Sequence, residues 1–127
     1  MVPLTQTRTG KHGTCFQTAL ASILELPLNS VPDFQGEGND WLDQVARFLE
    51  PMGLAYVQID VDDPILEIMF KHGETYSTIE GMSPNDLPHA CVALNGELVW
   101  DPDPRKVGLK TVECFGLLFS RCNTPQG

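Results

Sequence analysis

The chain has 127 residues, 42% hydrophobic and 20% charged, which suits one globular domain over 1–127 with a core of its own and excludes the composition of disordered chains. Its 8 Lys+Arg against 17 Asp+Glu leave a formal net charge of -9, which repels phosphate and argues against nucleic acid and anionic membrane as partners. No apolar run approaches the roughly 18 residues of a membrane span, and MVPLTQTRTGKHG lacks the apolar region of a secretory signal, so a cytoplasmic location is the expectation.

In chain order, a loop over 1–13 precedes a first helix near 15–25, whose Phe16, Ala19, Leu20, Ile23 and Leu24 form one apolar stripe that Pro27 and Val31-Pro32 terminate. A second helix is predicted over 41–50, with Asp40 as N-cap and Trp41, Leu42, Val45, Phe48 and Leu49 on its apolar face. A third, over 64–72, has Asp63 as cap, Pro64 at its first position and Gly73 as its stop, which puts His72 at a helix C-terminus. Strands are predicted over 54–61, 75–81, 90–94, 98–100 and 113–119, the third and fourth flanking the hairpin signal Asn95-Gly96. Helices followed by a mainly antiparallel sheet make an α+β arrangement.

The four cysteines, Cys15, Cys91, Cys114 and Cys122, follow neither a disulfide framework nor a zinc spacing, so free thiols and no structural metal are expected. Cys15 stands out because it opens the first helix, where unpaired N–H groups and the positive end of the dipole favour a thiolate. A cysteine alone is as readily a small buried hydrophobe. A nucleophile also needs a base and a group that orients the base. His89 opens the strand HACVAL and Asp101 closes ELVWDP, so one hairpin carries both.

Register decides whether they meet. A two-residue turn at Asn95-Gly96 places Ala90 opposite Asp101 and turns Asp101 away from the face of His89. A three-residue loop, Leu94-Asn95-Gly96, with Gly96 left-handed and a bulge, sets His89 opposite Asp101 with Cβ atoms within about 5.5 Å. The catalytic reading therefore expects the three-residue loop, and a two-residue turn would count against it.

GTCFQTALASILELPLNSVPDF followed by GMSPNDLPHACVALNGELVWDPDP resembles the papain-like cysteine peptidase fold in its small bacterial and phage forms, related in layout to the double-glycine leader peptidases of bacteriocin exporters. The resemblance covers most of the chain and includes a family of small phage and bacterial proteins with GxSP before the His and DPxP at the Asp. It implies Cys15 as nucleophile, His89 as base and acid, Asp101 as orienting group, and an oxyanion bound by the Cys15 N–H and an upstream glutamine. The leader peptidases place that glutamine six residues before the Cys, where this chain has Thr9; Gln6 is the nearest upstream glutamine.

His12 and His72 read as solvent-exposed, Cys91 as a core residue on the His89 face, Asp103 as a loop residue beyond the strand, and Trp41 and Trp100 as core packing. The combined expectation is a thiol hydrolase acting on an amide of a peptide or protein substrate without a cofactor. An acyltransferase with the same triad and a non-catalytic protein-binding module on the same fold are the alternatives. Oligomeric state is not legible.

Overall fold

Helical apolar periodicity and strand alternation are both realised in the computed structural model, which describes residues 1–7, 14–34 and 40–121. The helices are α1 (Cys15–Leu24), α2 (Asp40–Leu49) and α3 (Ile65–Met69), and the strands are β1 (Leu54–Asp60), β2 (Tyr76–Met82), β3 (Pro88–Leu94), β4 (Glu97–Trp100) and β5 (Thr111–Ser120). They form a five-stranded sheet in the order β1-β5-β2-β3-β4, every pair antiparallel. The α+β architecture is thus as expected, including α3 between β1 and β2 in sequence, and the structure adds that the last strand inserts between those two.

Neighbouring residues of β5 show how the core is divided. Leu117 joins Leu66, Ile79, Cys91, Ala93 and Phe115 in one cluster, whereas Leu118 packs against Leu20, Ala21 and Val31 in another. Successive side chains of a strand point to opposite faces, so the sheet is covered on both: α1 on one side and α3 on the other.

The start of α1 is held by the Thr14 carbonyl, which accepts the Thr18 N–H at 2.9 Å and the Thr18 hydroxyl at 2.7 Å. The helix ends at Glu25, which takes the left-handed conformation (φ 58), before Pro27 is reached. Residues 1–6 then run along α1 as an extended tie. Val2 and Leu4 donate to Ser22, and the Gln6 N–H reaches the Pro102 carbonyl at 2.9 Å, linking α1 to the loop beyond β4.

Helix α2 starts at Asp40 itself, with Asp40 and Asp43 in its first turn and Arg47 in its last, charges that suit the dipole. In α3, Asp63 Oδ1 accepts the Ile65 N–H at 3.0 Å, the capping contact expected of it. This helix stops at Met69, where Phe70 turns in against Phe115, centroids 5.2 Å apart. His72 consequently lies in an exposed loop beyond the helix rather than at its C-terminus.

Two glycines permit close approaches that shape the site. A Cβ at Gly81 would collide with the Thr111 carbonyl of β5, and one at Gly116 would occupy the space of the Tyr56 and Thr78 hydroxyls. Thr9, His12 and Cys122 lie outside the described residues. Among the described residues no helix is long and apolar enough to cross a membrane.

Candidate active site

The loop from β2 to β3 delivers His89. Ser83 binds it from both sides: its N–H donates to the Leu87 carbonyl at 2.8 Å, while its hydroxyl accepts the N–H groups of Asn85 and Leu87. Pro88-His89 then enters β3 with His89 opposite Gly81, whose missing side chain leaves room for β5 behind. The SPNDLPH run thus acts as a short, cross-braced connection that sets where the imidazole begins.

The β3–β4 hairpin overturns one expectation. Leu94 pairs with Glu97, so the turn is the two-residue Asn95-Gly96, with positive φ at both (51 and 86), the pattern of a type I′ turn. Asn95 is fixed by its own side chain, whose Oδ1 accepts the Thr75 N–H and whose Nδ2 donates to the Gly73 carbonyl. The predicted three-residue loop is therefore incorrect. What that loop was meant to achieve is done by a bulge instead: Ala93 pairs with Leu98 but Val92 pairs with Trp100, leaving Val99 as an extra residue. The shift changes the parity of β4 and brings Asp101 to the face of His89.

The two side chains meet there, His89 Nε2 2.8 Å from Asp101 Oδ1, both buried (7% and 5% exposed). The DPDPRKVG loop closes around the carboxylate. Asp101 Oδ1 also accepts the Asp103 N–H at 2.9 Å, and Oδ2 accepts the Gly108 N–H at 2.7 Å. Lys106 Nζ reaches the Asp101 carbonyl and covers the Trp100 ring, 3.7 Å from its centroid. Burial would raise the Asp101 pKa, but the His89 bond and the two backbone donors outweigh it and hold the carboxyl at about 2.

For His89, burial alone disfavours the charged ring; hydrogen bonds to Asp101, Cys15 and Cys91 overcome it and push the pKa up to about 12. The ring is accordingly an imidazolium at neutral pH, with Nε2–H donated to Asp101 and Nδ1 left for the thiols. Cys15, the first residue of α1, is one of those partners and lines a cleft together with His89. The structure thus brings Cys15, His89 and Asp101 together.

Gln6 is buried (6% exposed) and lines a narrow crevice together with Cys15 and His89. Its backbone bond to Pro102 ties it to the loop that holds Asp101. Asp103 lies in that loop, as expected, buried and paired with Arg105 at 2.8 Å.

Cys91 has a larger place than core packing. It is fully buried in a core cluster, yet its sulfur, a His89 ring nitrogen and an Asp101 oxygen all lie within 4.8 Å of one another. Burial, the larger effect, pushes its thiol pKa up against the pull of His89. Nitrogen, sulfur and carboxylate at this spacing are possible ligands for a soft metal, but Asp101 already uses both oxygens on three N–H donors.

The main cleft, about 370 Å³, has an aromatic wall and a polar wall that the sequence did not announce. Phe16 of α1 meets Trp41, Tyr56 and Phe34 edge-on at 5.1, 5.5 and 5.9 Å. Trp41 is therefore a wall of the cleft rather than part of the core, and Trp100 is half-buried with its Nε1–H donated to the Leu4 carbonyl at 2.7 Å. Gln58, Glu80, Glu113 and Cys114 line the same cleft. The signal that could have found this wall is the pair of glycines inside strand patterns, Gly81 and Gly116, which mark close approach of backbone and side chains.

No protein-family model matches this chain, and neither a curated protein nor a solved structure does. What the fold defines is an α+β protein with a five-stranded antiparallel sheet.

Proposed function

We propose that this chain is a thiol hydrolase of the papain-like layout, a peptidase or amidase with Cys15 as nucleophile, His89 as acid and base, and Asp101 as orienting group. The observation that carries the reading is the buried 2.8 Å bond from His89 Nε2 to Asp101, with Cys15, the first residue of α1, lining the same cleft as the ring. A helix start, a strand start and a strand end supply the three groups. That layout underlies the sequence resemblance.

In the mechanism, His89 Nδ1 already holds the proton, and the Cys15 sulfur bonds to the substrate carbonyl carbon as the thiolate of that pair. The oxyanion faces the Cys15 N–H and the Gln6 side-chain amide. As the tetrahedral species collapses, the C–N bond breaks and His89 gives the proton to the leaving amine. Water then loses a proton to His89, bonds to the thioester carbon and displaces the sulfur, which leaves as the thiolate while His89 keeps the proton. An amine in place of water gives acyl transfer with the same residues. No cofactor takes part in any of these steps.

The test is to trap the thioester. Incubation with a small activated N-acyl amino acid ester, followed by peptide mapping, is expected to place a transient acyl adduct on Cys15 that decays by hydrolysis. Failure to acylate Cys15 while the protein is folded would leave the chain as a binding module on the same fold.

A further inference from the structure

Next to Cys15 the cleft combines three features. It is lined by the aromatic rings of Phe16, Phe34 and Trp41 and by the polar Gln58, Glu80 and Glu113, and His89 is the one basic side chain among its described lining residues. The Glu80 carboxylate is built in rather than left at the surface: Oε2 accepts the Tyr56 hydroxyl at 2.5 Å and the Thr78 hydroxyl at 2.7 Å, and Oε1 accepts Gln58 Nε2 at 3.1 Å. These donors are all neutral. A carboxylate offers about four acceptor positions, so one remains for a guest.

The fold makes room for this arrangement, because any side chain at Gly116 would displace the Tyr56 and Thr78 hydroxyls that hold Glu80. Against the His89 imidazolium the cleft sets two carboxyl groups, Glu80 and Glu113. Cys114, on the same wall, is pushed up to about 12 by burial first and then by Glu80, Glu113 and Asp60.

We infer that the cleft receives a cationic side chain on an aliphatic stem, of the arginine or lysine class, next to the amide that Cys15 attacks. The stem lies along the aromatic wall, where a cation near the faces of Trp41 and Phe16 is also attracted by their π-systems, and the head reaches Glu80 with Glu113 at the rim. Burial raises the Glu80 pKa despite its hydrogen bonds, so a bound cation supplies the opposite charge that this carboxyl lacks. This assignment rests on the hydrolase reading for the position of the scissile amide, but the preference for charge is a property of the cleft that binding alone reports.

The experiment uses the full chain carrying Cys15→Ala, which binds without turnover. Titrations followed by NMR at the Trp41 indole compare N-acetyl-arginine methylamide and N-acetyl-lysine methylamide with the neutral citrulline and norleucine analogues. The cationic ligands are expected to bind roughly tenfold more tightly, a ratio that falls towards one in Glu80→Gln. Glu113→Gln, at an exposed position, is expected to fold normally and to reduce the ratio in part. Equal binding of charged and neutral ligands, or binding of neither, overturns the inference. If selective binding is found but Cys15 in the unmodified chain is not acylated by any ester, the cationic site stands and the hydrolase reading fails.

Discussion

His89 and Asp101 are joined at 2.8 Å across a hairpin whose turn, continued as a regular ladder, would hold them on opposite faces. The bulge at Val99 reverses that outcome by setting Val92 against Trp100. One extra residue in an edge strand thereby decides whether the imidazole has a carboxylate to orient it.

Removing the carboxylate tests what the pair contributes to the fold. Asp101→Ala takes away the acceptor of a buried imidazolium and of two backbone N–H groups, and is expected to destabilise the protein by about 3 kcal/mol. Urea unfolding of the two proteins measures it. A loss below about 1 kcal/mol would mean that the bonds seen around Asp101 are replaced by solvent at little cost.

The same pair shapes the dependence of stability on pH. Asp101 is lowered from 3.8 to about 2, so its contribution is complete above pH 3.8 and declines as pH falls towards 2. His89 is raised from 6.5 towards 12, so its contribution is complete below pH 6.5 and declines as pH rises through the range up to 12. Relative to Asp101→Asn and His89→Gln respectively, unfolding free energies at a series of pH values are expected to show a plateau between about 4 and 6.5. A stability advantage over His89→Gln that grows above pH 6.5 would contradict the assignment.

Gly81 pairs with His89 on one side and with Val112 of β5 on the other. In Gly81→Ala the new methyl would meet the Thr111 carbonyl carbon at 2.8 Å and the Val112 Cα at 3.0 Å, backbone atoms that no rotamer change can move. A loss of roughly 1–3 kcal/mol is expected, with shifted backbone resonances at His89 opposite. Thermal or urea denaturation with amide NMR reads both. Unchanged His89 resonances would show that β5 yields without disturbing β3.

Much of this fold was legible because its signals are local. The stripe from Phe16 to Leu24 gives α1, alternation and Asn95-Gly96 give the hairpin, and Pro88-His89 and Asp101-Pro102 mark strand boundaries. The bulge was not, since Val99 in ELVW is as good a ladder residue as its neighbours and nothing local says that it drops out of register. Helix α3 stopped short of Gly73 because Phe70 finds Phe115, a partner 45 positions away that periodicity within 64–72 does not contain. Trp41 read as core for the same reason: apolar helix faces look alike whether the surface they meet is filled or hollow. The catalytic candidates were found by residue type and spacing, while the cleft beside them depends on contacts among α1, α2, β1, β2 and β5.

The central claim is that Cys15 is a nucleophile activated by His89, and the most direct measurement is site-resolved alkylation. Iodoacetamide labelling of the folded protein would be followed from pH 5 to pH 9 by peptide mass spectrometry, on the parent and on His89→Ala. Cys91, buried and raised, and Cys114, raised to about 12, are expected to label slowly throughout. Cys15 is expected to label fastest and to lose most of that advantage in His89→Ala. A Cys15 that labels no faster than Cys91 and Cys114, or that reacts equally well without the imidazole, would contradict the account.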